Sequence, residues 1–181
     1  MPLFLSILAA LSLLITPKDN DITLKLDGKS WSGSVKMTPE VMRWKPPVEE
    51  PSTLQISFED SQNQILITLT NYDAIGNAPF EIKTVMRGRS EAEPNFKPNP
   101  KEVYLQITAN INYKDFDNSY ACSLPWKDPA FSFVITKIDR KNGLISGKFK
   151  AELFKNILNR SGQKIIVTDA EFVNVKFSDN P

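Results

Sequence analysis

The stretch FVITKIDRKNGLISGKFKAELF, Phe133 to Phe154, decides how this chain reads. Two runs rich in β-branched and aromatic residues flank Arg140-Lys141-Asn142-Gly143, and Asn-Gly supplies the positive φ angles that a tight turn needs. In the second run Ile145, Gly147, Phe149, Ala151 and Leu153 share one face, while Ser146, Lys148, Lys150 and Glu152 share the other. A period of two with one apolar face marks a strand of an antiparallel sheet. The stretch therefore predicts a β-hairpin lying on the core through Ile145 and Phe149. Gly147, between two large apolar residues, leaves room for an aromatic ring from a neighbouring strand.

Working outward, the same period recurs. Ile22, Leu24 and Leu26 alternate with polar residues, then Trp31, Gly33, Val35 and Met37 do so, with the hairpin signal Asp27-Gly28 between them. Leu54, Ile56 and Phe58 form a third run, and EDSQNQ turns the chain into ILITLT at Ile65 to Thr70. FEIKTV from Phe80 is shorter, VYLQITANINY from Val103 is the longest alternation, and KIIVTD and AEFVNVKF read as the last two strands. The proline-dense segments at 45–52 and 93–101 cannot run through central strands, and suit crossovers or rim loops. The segment AELFKNILNRSG has the spacing for a helical turn or two. Many short strands separated by turns predict an all-β fold, an antiparallel β-sandwich of about eight to ten strands, with an open or closed lipocalin-like barrel as the alternative.

Composition narrows the chemistry. In 181 residues, 22 Lys and Arg stand against 21 Asp and Glu, so no global attraction to nucleic acid or anionic lipid is implied. There is no histidine, which removes the Ser-His-Asp and Cys-His pairs, imidazole metal sites and a histidine base. One cysteine, Cys122, permits neither an intrachain disulfide nor a cysteine zinc site, and reads as a small buried apolar side chain. No cofactor is implied.

The run from Leu3 to Ile15 is apolar apart from Ser6 and Ser12, too short to span a bilayer and of the length of a signal core. Residues 1–20 are expected to form an export segment and 21–181 a single all-β domain, with no membrane span in the mature domain. No cysteine follows the run to carry a lipid. The expected location is the periplasm, cell surface or extracellular space.

LDGKSW near the start, ITKIDRKNGLISGKF late and VTDAEFVNVKF at the end resemble uncharacterised exported lipoproteins common in Bacteroidetes. The matching pieces cover about a third of the chain. The family's lipid-bearing cysteine is missing, and Ala170-Glu171 replaces the small residue usual before the final strand. The resemblance implies a secreted β-sandwich-like domain and carries no catalytic residues.

Carboxylates are the enzymatic route left open, because a glycosidase needs only two facing acids. Asp115, Asp117, Asp128, Asp139, Asp169, Glu40 and Glu59 are available, yet nothing in the sequence pairs them. Asp115, Asp117 and Ser119 begin like a calcium loop, but Tyr120 and Trp126 stand where an EF-hand needs Gly and Glu. Arg87 and Arg89 flank Gly88 without the pattern of a phosphate loop. Trp31 reads as core, whereas Trp44 and Trp126 lie beside Pro-rich or turn sequence and are the candidate exposed contacts for a ligand. The sequence thus predicts a non-catalytic exported domain that binds a glycan, an envelope protein or a small ligand. The alternatives are a carboxylate hydrolase acting on polysaccharide and a lipocalin-like carrier.

Overall fold

The computed structural model describes residues 18–43, 51–86, 99–112, 118–122, 130–155 and 163–179. Among them are twelve strands in one sheet: β1 (Asp21–Leu26), β2 (Lys29–Val35), β3 (Val41–Met42), β4 (Thr53–Glu59), β5 (Gln64–Thr70), β6 (Phe80–Ile82), β7 (Thr84–Val85), β8 (Tyr104–Asn110), β9 (Ser119–Ala121), β10 (Phe131–Asp139), β11 (Leu144–Lys155) and β12 (Lys164–Lys176). No helix among the described residues is long and apolar enough to cross a membrane.

The sandwich expectation is overturned. β12 pairs with β1 on one edge and with β11 on the other, so the last strand joins the first and the sheet closes on itself. The ring runs β1, β2, β4, β5, β8, β9, β11, β12, every neighbouring pair antiparallel and in chain order, which is an up-and-down barrel of eight strands. Closure removes the two free edges that an open sheet would expose. The remaining four strands sit off the ring. β3 extends the β4 edge, β10 occupies the β11 edge below β9, and β6 and β7 pair with β10 and β8 in turn.

Bulges make this closure possible. The two runs expected at the end of the chain are one 13-residue strand, β12, interrupted where its pairing with β11 slips. Asp169 and Asn174 take φ of 52° and 45° there. The apolar phase skips at Asp169, so Val167 and Ala170 both face inward, and a break in alternation that reads as a strand end is an inserted residue. Each bulge bends the strand and tightens its twist, which curls a long strand around a barrel. A further bulge, between Ile135 and Lys137, bends β10 against β11.

The predicted hairpin is present as β10 and β11, with Phe149 buried and Lys148 and Lys150 exposed. Its turn differs in detail. Only Gly143 has positive φ, 62°, and the Asp139 carboxylate accepts the Asn142 backbone N–H at 3.0 Å. Ser146, expected on the wet face, is buried because the β12 bulge covers it: its hydroxyl accepts the Asn174 N–H at 2.8 Å. The expected helical turn does not start at Ala151, since β11 continues to Lys155. The rest of that segment lies outside the described residues. Asp27 and Gly28 both have positive φ, 46° and 78°, and close the β1–β2 hairpin as predicted. Met37 does not continue β2, and stands exposed beyond it.

The core is the barrel interior. Ile56, Phe58, Ile65, Ile67, Leu69, Leu105 and Ile107 line the β4–β5–β8 wall, all fully buried. Four rings from four strands meet across the interior: Phe133 stacks on Phe149 at 5.4 Å between centroids, and Phe172 lies 5.8 Å from Phe58 and 6.1 Å from Phe133. Outward positions such as Lys25, Gln55, Thr68, Gln106, Lys148 and Lys150 are polar.

Candidate functional site: the two ends of the barrel

Strand directions give the barrel two unlike ends. One carries the turn after β5, the β10–β11 turn and the segment after β12, and is here called the base. The other carries the β1–β2 and β4–β5 turns, and is called the mouth.

At the base, Asn71 takes a left-handed conformation with φ 61° and starts a single 3-10 turn, Tyr72–Ala74. Its side-chain amide donates to the carbonyls of Asn99 and Glu102, both at 2.8 Å, which ties the turn to the approach to β8. Tyr72 is thereby folded under the barrel, fully buried, with the Phe177 ring edge-on at 5.7 Å. The Arg140 guanidinium lies 4.4 Å from the centre of the Tyr72 ring and donates to the carbonyl of Ile75 at 3.0 Å. Arg43 donates from Nε and Nη2 to the two oxygens of Asp73, at 3.2 and 2.7 Å, and from Nη1 to Asp179 at 2.6 Å. The second Asp179 oxygen is 3.8 Å from Arg140.

This cluster fixes its charges. The Arg43 hydrogen bond holds the Asp73 carboxyl below its ordinary range, with burial opposing and the Ser52 hydrogen bond assisting. The hydrogen bonds it donates to Asp73 and then to Asp179 hold the Arg43 guanidinium more firmly protonated. Burial, with the Asp179 carboxylate adding to it, pushes the Tyr72 phenol up. Asp179 acts on that phenol's ionisation, yet the hydroxyl itself meets no partner in hydrogen-bonding geometry among the described residues. Asp73, held low by Arg43, does not offer the raised carboxyl that the general acid of a glycosidase needs. The base is a seal.

At the mouth the lining formed by the described residues is apolar. Leu26, Trp31, Ile111, Tyr120 and Ile165 are partly buried and pack against the core. The Trp31 ring folds back over Gly33, where any Cβ would strike it, and its Nε1–H donates to Asp60 at 2.7 Å. Asp60 also accepts the backbone N–H groups of Gln62 and Asn63, each at 2.6 Å. Burial works against the Asp60 anion, but these hydrogen bonds prevail and hold its carboxyl low. Trp31 thus spans from β2 to the β4–β5 turn. It bridges a step, because β2 pairs with β4 through only Ser34 and Val35. Lys155, the last residue of β11, is the Cα partner of Tyr120.

Of the sequence candidates, Trp44 and Trp126 lie outside the described residues, as do Asp115, Asp117, Asp128, Arg87 and Arg89. The remaining carboxylates have separate local environments. Asp139 accepts from the Asn142 side chain at 2.7 Å, Asp169 pairs with Lys25 at 2.9 Å, and Glu59 accepts from Ser57 at 2.9 Å. Glu40 is exposed, its backbone bridging to Ser178. Those hydrogen bonds, from Asn142 and from Lys25, hold the Asp139 and Asp169 carboxyls low. No group of three or more Cys, Asp or Glu among the described residues could hold a metal. Arg43, Asp73, Arg140 and Asp179 escape a sequence reading because Arg43 stands 30 residues from one carboxylate and 136 from the other, and only closure of the barrel brings them together. The mouth residues carry a weak signal: Leu26 ends one apolar alternation and Trp31 opens the next.

No protein-family model, curated protein or solved structure matches this chain.

Proposed function

We propose that this protein is an exported, non-catalytic carrier, a lipocalin-like barrel that takes one small apolar molecule through its mouth. The observation that carries the reading is the contrast between the ends. The base is closed by ions over a buried tyrosine. The mouth continues the apolar lining outward through Leu26, Trp31, Ile111 and Ile165. An eight-stranded barrel has the scale at which the interior is filled by side chains or holds one small ligand. A polar outer face suits a barrel that moves through water. The carboxylates with resolved shifts are all lowered, which favours a binding role over acid catalysis. Export rests on the apolar run Leu3 to Ile15 and on the resemblance to exported lipoproteins.

Titration of the purified chain with the neutral fluorophore N-phenyl-1-naphthylamine, followed by displacement with 1-dodecanol, tests the carrier reading. Saturable one-to-one binding that dodecanol reverses is expected; a linear, unsaturable signal refutes it. Export is tested by the mass of the protein recovered from host envelope fractions, where loss of the apolar run is expected. An intact Met1 in a cytosolic fraction refutes export.

A further inference from the structure

Resting on the carrier reading, we propose that the ligand is amphipathic, an apolar body with a carboxylate head, and that Lys155 and Tyr120 hold the head at the mouth. β11 alternates without interruption: Ile145, Gly147, Phe149, Ala151 and Leu153 are buried on the inward face, and its bulges lie on the partner strands. Lys155 is the next position in that series. Directly paired residues of antiparallel strands present their side chains on the same face, and Tyr120, the partner of Lys155, packs against the core. A lysine therefore follows the apolar series of β11 at the mouth end of the barrel. It is partly buried, and its ammonium has no ion-pair partner among the described residues. The adjacent acid, Glu152, is on the opposite face and already engages Lys164 at 2.5 Å. Ile165 completes the surroundings, partly buried, as the Cα partner of Leu153.

A cation at the rim of an apolar lining has a defined complement. It favours an anion whose tail enters the barrel, and the phenol of Tyr120 adds a hydrogen-bond donor to a carboxylate oxygen. A charge-assisted hydrogen bond at a partly desolvated rim corresponds to about a tenfold gain in affinity or more. The lysine stem meanwhile packs along the apolar wall.

The test compares dodecanoate with 1-dodecanol on the full chain, by displacement of N-phenyl-1-naphthylamine. The wild type is expected to bind dodecanoate about tenfold more tightly than dodecanol. Lys155→Met should erase that preference by lowering dodecanoate affinity more than dodecanol affinity, and Tyr120→Phe should erase part of it. Equal affinities in the wild type, or a preference that survives Lys155→Met, overturns the proposal while the carrier reading stands. Failure of both ligands to displace the probe overturns both. Circular dichroism of each variant checks that the barrel is intact, and Lys155→Arg, which keeps the charge, should retain the preference.

Discussion

Gly147 in β11 lies beneath the ring of Phe172 in β12: a Cβ at Gly147 would stand 2.5 Å from the ring's Cζ and 3.0 Å from the Val134 carbonyl oxygen. The missing side chain is what lets Phe172 reach across its own sheet to Phe58 and Phe133. Gly147→Ala is therefore expected to destabilise the protein by about 1–3 kcal/mol through overpacking. Urea denaturation measures it, and an alanine variant as stable as the wild type would mean that the ring packs elsewhere.

Phe149 stacks on Phe133 inside the barrel, while its neighbour Lys148 is exposed with Glu171 at 3.2 Å. Phe149→Ala should cost about 3–5 kcal/mol. Lys148→Ala removes an exposed ion pair and should cost less than about 1 kcal/mol. Equal losses in denaturant would place the lysine face inside.

The ionic base predicts acid sensitivity of a definite sign. Asp73 has its pKa lowered on folding, so its contribution is complete above the unfolded value of about 4 and disappears as pH falls through the folded one. Its carboxylate is half exposed, so screening limits the contribution to about 1 kcal/mol at neutral pH. Thermal melts of the wild type and Asp73→Asn should differ at pH 7 and converge as the pH falls through the lowered folded-state value. A gap that persists in acid would assign the effect to packing instead of charge.

The buried hydroxyl of Tyr72 offers a sharper test of the same region. A buried hydroxyl without a partner costs stability, so Tyr72→Phe should be neutral or stabilising by up to about 1 kcal/mol. A loss of more than about 1 kcal/mol on calorimetry would show that Asp179 accepts that hydrogen in solution.

Cys122 is buried, its sulfur accepts the Ile107 N–H at 3.0 Å, and burial pushes its thiol up to about 11. Folded protein at pH 8 should resist iodoacetamide and react fully in guanidinium, because the thiolate is the nucleophile. Rapid labelling of native protein would contradict the burial.

Much of this architecture is legible residue by residue. The alternation in Ile145 to Leu153 places β11 and its inward face, Asp27-Gly28 places a turn, and the absence of histidine limits the chemistry, because each depends on neighbours in the chain. Sandwich and barrel share that local pattern, since both have strands with one dry face. What separates them is the pairing of β1 with β12 and of β12 with β11, contacts between residues as far apart as Asp21 and Val173. The bulges at Asp169 and Asn174 were hidden for a related reason, as a skipped phase looks the same as a strand end until a partner strand is seen across it. The sequence by itself determined most of the longer strands, most of their inward faces and the burial of the lone thiol. Closure, the arginine seal over Tyr72 and the meeting of Lys155 with Tyr120 were decided by tertiary structure alone, because they rest on which strand edges meet and not on the order of residues along any one strand.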